Sequence, residues 1–181
     1  MCNKVLGNNT DAKDGFSIAS YSLAVRSAAY EKLAEMFMLD KNWAKAEHYV
    51  LLSKEFNTQN LSADHALMVI YRKMNQPEKA KTLIDSVLEN LPLYHAARFE
   101  RFYQGGEKAM ADFKSMIRNE LPAQTYMELA EWYESVGCTD EAVTLLSCAG
   151  DYPIALYRKA YLLHQSGNDA ESHNLLQRAE S

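Results

Sequence analysis

The residues best suited to chemistry are two histidines near the C-terminal end, His164 and His173. Asp169 and Glu171 lie between them, and imidazoles together with carboxylates are common metal ligands. Their spacing matches no structural zinc motif, so we interpret these four side chains as solvated and predict no metal site. The HExxH, GxSxG, phosphate-loop and dinucleotide-binding motifs are all missing from the sequence. The sequence therefore predicts neither an enzyme nor a bound cofactor.

Composition argues against two classes of partner, nucleic acids and membranes. The chain has 181 residues and a formal net charge of -5, whereas nucleic-acid binders usually carry a strong basic patch. No apolar run approaches the ~20 residues that a membrane-spanning helix needs. The chain has an odd number of cysteines, Cys2, Cys138 and Cys148, and it contains no CxxC pair. This pattern favours a reducing compartment. We therefore predict a cytoplasmic protein with neither a nucleic-acid nor a membrane partner.

The strongest signal is a recurring polar turn that is followed by a small residue. The small residues are Ala12, Ala46, Ala80, Ala142 and Ser172. The first three lie 34 residues apart, the next interval is 62 and the last is 30. Apolar residues at i, i+3, i+4 and i+7 flank the turns, and this pattern indicates helices. Small residues let two helices approach closely, and we expect Ala34 to face Ala46 and Ala130 to face Ala142.

This pattern resembles the tetratricopeptide repeat. The residues that carry the resemblance are Tyr30, Leu33, Ala34, Phe37 and Ala46 in 27–60; Leu67, Tyr71, Ala80, Ile84 and Pro92 in 61–94; and Tyr126, Leu129, Ala130, Tyr133, Gly137 and Ala142 in 123–153. The resemblance implies an all-α, right-handed superhelix of about five helical hairpins after a leading partial repeat. It also implies a non-catalytic scaffold that binds a protein or peptide.

We predict one solenoid over residues 1–181, and its register suggests a piece of a longer protein. The expected divisions are a partial repeat at 1–26 and repeats at about 27–60, 61–92, 93–121, 122–152 and 153–181. The third repeat is degenerate: Gly105-Gly106 marks its turn, and Ala109 and Met110 are alternatives for its alanine position. Truncated ends would expose apolar side chains and favour end-to-end self-association. The side chains concerned are Val5, Leu6, Phe16, Leu175 and Leu176.

Two segments, 91–102 and 121–163, are similar to the repeat region of large bacterial proteins that are common in Bacteroides-like species. Those proteins carry a β-rich domain of unknown function ahead of the repeats. This second resemblance implies an alternative function, an accessory module of a larger carbohydrate-related protein. The partner would then be another domain of the same parent protein.

The tetratricopeptide resemblance also implies which positions of the first helices line a concave groove. On this chain they are Ala28, Glu31, Glu35 and Met38; Ser62, His65, Val69 and Arg72; Gln124, Met127, Glu131 and Glu134; and, in the last repeat, Tyr157, Tyr161 and His164. The predicted ligand-binding residues are Arg72, Arg98, Arg101, His65, Tyr94, Glu131, Tyr157 and Tyr161.

Two chemistries follow from these predicted residues. Arg72, Arg98 and Arg101 would form a basic strip for an acidic peptide, since arginine binds carboxylates in bidentate fashion. The competing interpretation is that these arginines pair with nearby acids such as Glu100. A second hypothesis gives the tyrosines of the last repeat a role as a sugar-stacking platform.

Overall fold

The computed structural model of the chain describes residues 7–180, which form ten α-helices and no β-strand. The helices are α1 (Asn9–Ala19), α2 (Arg26–Leu39), α3 (Trp43–Phe56), α4 (Leu61–Lys73), α5 (Pro77–Asn90), α6 (His95–Met116), α7 (Pro122–Ser135), α8 (Thr139–Cys148), α9 (Pro153–Gln165) and α10 (Asp169–Ala179). The predicted all-α class is confirmed. None of the described helices is long and apolar enough to cross a membrane.

Four hairpins close with the same backbone turn. Each turn has one residue with a positive φ, and these are Lys41 (58°), Asn75 (56°), Gly137 (76°) and Gly167 (85°). The next residue donates its N–H, at 2.8 Å, to the carbonyl five residues earlier; the pairs are Asn42 to Phe37, Gln76 to Tyr71, Cys138 to Tyr133 and Asn168 to Leu163. This is the hydrogen bond of a Schellman motif, which ends a helix. The donor is also the N-cap of the following helix, so one residue ends the first helix and starts the second.

The small residues of the repeat are buried on the helices that follow these turns. They are Ala46, Ala80, Ala142 and Ser172, and Ala12 of α1 is buried as well. On the preceding helices Ala34, Ala130 and Ala160 are buried as well, and in the last hairpin the Ser172 hydroxyl donates to the Ala160 carbonyl at 2.8 Å. The helices of these hairpins pack directly on each other. Within each unit the helices therefore pair into tetratricopeptide-like hairpins that approach closely at small residues.

The chain divides into two compact units, Met1–Asp112 (unit 1) and Phe113–Ser181 (unit 2). The division falls in α6, the helix of the degenerate third repeat. Gly106 interrupts this helix with φ 59° and ψ −147°, so the turn lies at the predicted glycine pair. A Cβ on Gly105 would lie 2.9 Å from the Cβ of Ala109, which explains why glycine stands there. Ala109 and Met110 are only half-buried, so neither provides the buried small residue of the other hairpins.

Each unit has its own apolar core. In unit 1 the buried residues around α5 are Met68, Ile84, Val87, Leu88 and Ala97. In unit 2 the core of the last hairpin consists of Leu156, Ala160, Leu163 and Leu175. Leu175 was expected to be exposed, and that expectation is wrong because it packs against α9. Leu176 and Phe16 are half-buried, whereas Val5 and Leu6 lie outside the described residues.

Substitutions at the positive-φ residue of the turn should change the stability of the protein in opposite directions at Gly167 and at Lys41. The space around a Cβ at Gly167 is open, so Gly167→Ala adds only backbone strain and should cost about 1 kcal/mol of the free energy of unfolding. Lys41→Gly should relieve such strain and stabilise by up to about 1 kcal/mol. Urea unfolding of both variants checks this. A neutral Gly167→Ala would contradict the turn geometry.

Candidate functional site

Arg72, the first of the predicted basic residues, is bound to an acid inside unit 1. Its Nε and Nη2 donate to the two carboxylate oxygens of Glu100 at 2.7 and 2.9 Å, and the Glu100 side chain is only 1% exposed. The guanidinium carbon also lies 3.9 Å from the centre of the Tyr103 ring. Arg72 therefore joins α4 to the first part of α6.

The other two arginines have acid partners of their own. Arg98 donates from Nη1 to Asp112 at 2.6 Å and from Nε to the Pro92 carbonyl at 2.5 Å. Arg101 donates from Nη2 to Asp85 at 2.5 Å. The structure thus shows the competing interpretation, pairing with nearby acids, for all three arginines. A ligand role for them stays a prediction.

The predicted groove position His65 is buried. Burial, together with the charge of Arg72, lowers the pKa of His65 to about 3, so the imidazole is neutral at ordinary pH. Tyr94 is half-buried, and its hydroxyl donates to the Leu61 carbonyl at 3.1 Å. Burial, with the charges of Asp64 and Glu31, raises the pKa of Tyr94 to about 12. Both side chains are occupied within unit 1.

Three further groove positions expected in unit 1 are buried, so the groove is not open at these residues. Glu35, Met38 and Val69 are almost fully enclosed. The physical reason is packing from several sides, because α2 contacts α1, α3 and α4, and in α4 every residue from 63 to 70 is buried.

In unit 2 the residues of α9 at the corresponding repeat positions are exposed to solvent. Ile154, Tyr157 and Tyr161 of α9 are 56%, 61% and 51% exposed, and their i, i+3, i+7 spacing places them on one face of the helix. The opposite side of α9 holds the helix in the core through Leu156 and Leu163. Tyr157 and Tyr161 were predicted, but Ile154 was missed although it lies three residues before Tyr157.

Acidic side chains of α7 border this stripe. Arg158 of α9 donates from Nη2 to Glu134 at 3.0 Å, and its Nη1 lies 3.7 Å from Glu131. The side chain of Glu131 nevertheless stays 71% exposed. We call the surface made of Met127, Glu131, Glu134, Ile154, Tyr157 and Tyr161 the α7–α9 face. Exposed tyrosine rings are groups that protein interfaces favour, and the Tyr161 hydroxyl accepts a hydrogen bond from Gln165 at 2.7 Å.

A groove that was not foreseen from the sequence lies in unit 1, where residues of α3, α4 and α5 line it. It has a volume of about 550 Å³, and Leu51, Leu67 and Leu83 supply its apolar lining. The ammonium of Lys54 pairs with the buried carboxylate of Asp64 at its wall. The exposed surface that lines this groove is mainly apolar.

The histidines near the C-terminal end do not assemble a metal centre. His164 Nδ1 lies 2.6 Å from Asp169 Oδ1, and His173 Nδ1 lies 3.1 Å from the Asp169 carbonyl. Within residues 7–180 no group of three or more His, Cys, Asp or Glu side chains is arranged to hold a metal ion.

Comparison with known proteins gives remote similarities only. No protein-family model and no curated protein matches the sequence. Among solved structures, a MamA mutant is similar at 14% identity over 88% of this chain and 98% of its own, with a TM-score of 0.43. A second structure, MamA MSR-1 C2, is similar at 16% identity over 99% of this chain and 94% of its own, with a TM-score of 0.38. Neither similarity identifies a partner or a site on this chain.

Proposed function

We propose that this protein is a non-catalytic scaffold that binds a peptide segment of a partner protein on the α7–α9 face. The observation that carries the proposal is the exposure of Ile154, Tyr157 and Tyr161, three large side chains on one stripe of α9. Contiguous exposed apolar surface that polar residues border commonly marks an interaction site. The partner is another protein or another domain of the same parent protein.

The contrast between the two units supports this choice. The same register positions in α2 and α4 are filled by buried groups such as Glu35 and His65. Folding of unit 1 therefore buries several of its groove positions, whereas α9 keeps Tyr157 and Tyr161 exposed. Tyrosines at the centre of an interface commonly contribute about 2 kcal/mol each or more.

Peptide display against the whole chain tests this function. Peptides selected on the wild type should lose at least about tenfold in affinity for the Tyr157→Ala/Tyr161→Ala double variant. Tyr21→Ala is the matched control, because Tyr21 is 82% exposed and lies in unit 1. Circular dichroism confirms that each variant is folded. Selected peptides that bind the double variant as tightly as the wild type would refute the proposal.

The same tyrosines are also the observation that favours the alternative, an accessory module of a carbohydrate-related protein. Aromatic rings with exposed faces can stack on sugars, and Tyr157 and Tyr161 are neighbours on α9. A glycan array separates the two functions. A glycan that binds the wild type and not the Tyr157→Ala/Tyr161→Ala variant would favour the alternative, and a blank array would favour the peptide scaffold.

A further inference from the structure

The net negative charge of the chain comes entirely from unit 2. Unit 2 contains ten Asp and Glu residues and five Lys and Arg residues, so its formal charge is −5. Unit 1 contains fourteen of each, so its formal charge is zero. The α7–α9 face therefore lies on the acidic unit. Complementary charge speeds the encounter of two proteins, whereas like charge opposes it.

The charged side chains of the α7–α9 face also carry an excess of negative charge. Glu131 and Glu134 share a single guanidinium, that of Arg158, and the contact with Glu131 is the longer of the two. The neighbouring Lys159 is engaged with Glu171 at 3.3 Å. The face thus presents one carboxylate in excess, on the well exposed Glu131, together with the exposed side chains of Tyr157 and Tyr161.

A cluster of side chains in unit 1 shows that a tyrosine and a glutamate together can bind an arginine. There the Arg72 guanidinium lies over the Tyr103 ring at 3.9 Å and pairs with Glu100. Arginine is suited to this arrangement because its planar cation stacks on an aromatic face and still donates to a carboxylate. The α7–α9 face offers the same two kinds of group, tyrosine and glutamate, to a partner.

From these observations we infer that the partner of the α7–α9 face is a basic peptide segment, in which arginine or lysine side chains alternate with apolar ones. A cationic side chain stacks on Tyr157 or Tyr161 and pairs with Glu131, and the apolar side chains cover Ile154. This inference rests on the proposed function, because it names the partner of the same face.

The test uses the whole chain and two fluorescent synthetic peptides of equal length, one alternating arginine with leucine and the other alternating glutamate with leucine. Fluorescence anisotropy should show at least about tenfold tighter binding of the arginine peptide. Its affinity should fall several-fold between about 50 mM and about 300 mM salt, because exposed charges are screened. Glu131→Gln should weaken it about threefold or more, whereas Asp140→Asn, which removes an exposed charge on α8, should change it less.

The following results would contradict the basic-segment inference, the proposed function or both. Equal affinity for the two peptides, or equal weakening by Glu131→Gln and Asp140→Asn, would overturn the basic-segment inference. Peptides selected from a random library distinguish a failure of the basic-segment inference from a failure of the proposed function. If they depend on Tyr157 and Tyr161 but show no excess of arginine or lysine, the inference fails and the proposed function stands. If they do not depend on the tyrosines, both fail.

Discussion

Replacing Arg72 with methionine should lower the free energy of unfolding of unit 1 by about 3–5 kcal/mol. The carboxylate of Glu100 is 1% exposed and accepts two charge-assisted hydrogen bonds from Arg72. The substitution removes both bonds and the stacking on Tyr103 while leaving the acid in the interior. The free energy required to bury that charge then opposes folding.

The double variant Arg72→Met/Glu100→Met is the control. It removes the buried charge together with its partner, so it should recover most of the lost stability. Urea unfolding followed by Trp43 fluorescence, in a Trp132→Phe background, reports unit 1 because the chain has two tryptophans, one in each unit. A single variant as stable as the wild type would show that the pair does not hold α6 to α4.

The second large effect is a loss of stability in acid that depends on His65. The pKa of this imidazole is about 3 in the folded protein and about 6.5 in the unfolded chain. The unfolded chain therefore binds a proton below pH 6.5 that the folded protein excludes. The contribution is complete above pH 6.5 and is lost as pH falls toward 3, at roughly 1.4 kcal/mol per pH unit.

The slope of stability against pH distinguishes this histidine from the carboxylates, which titrate in every variant. His65→Gln should flatten the slope between about pH 6.5 and about pH 4, whatever its effect on absolute stability. His48→Gln, which removes an exposed imidazole, is the comparison variant. If His65→Gln and the wild type lose stability in parallel, His65 is not a neutral buried residue.

The repeat could be predicted because its signals are local. A small residue five positions after each turn is needed wherever two helices cross closely, and Ala46, Ala80, Ala142 and Ser172 are all buried there. The turn itself was harder to foresee, because Lys41 and Asn75 hold the positive φ that Gly137 and Gly167 adopt more readily.

The binding positions of unit 1 could not be predicted in the same way. Periodicity tells which residues share a helix face, but it does not tell which faces neighbouring segments cover. The tetratricopeptide resemblance placed Glu35 and His65 in an exposed groove, and yet both are buried. Glu35 is compensated there by Lys32 at 2.6 Å. In unit 2 the register of Tyr157 and Tyr161 leads to an open face, so the same reasoning reached exposed residues.

The central claim is that partners bind the α7–α9 face of unit 2. The most direct measurement is a methyl NMR titration of the chain, labelled at methionine and isoleucine, with a peptide selected by display. We expect shift changes at Met127 and Ile154, which lie on this face, and little change at the buried Met38 and Met68 of unit 1. Changes confined to Met38 and Met68, with Met127 and Ile154 unaffected, would contradict it.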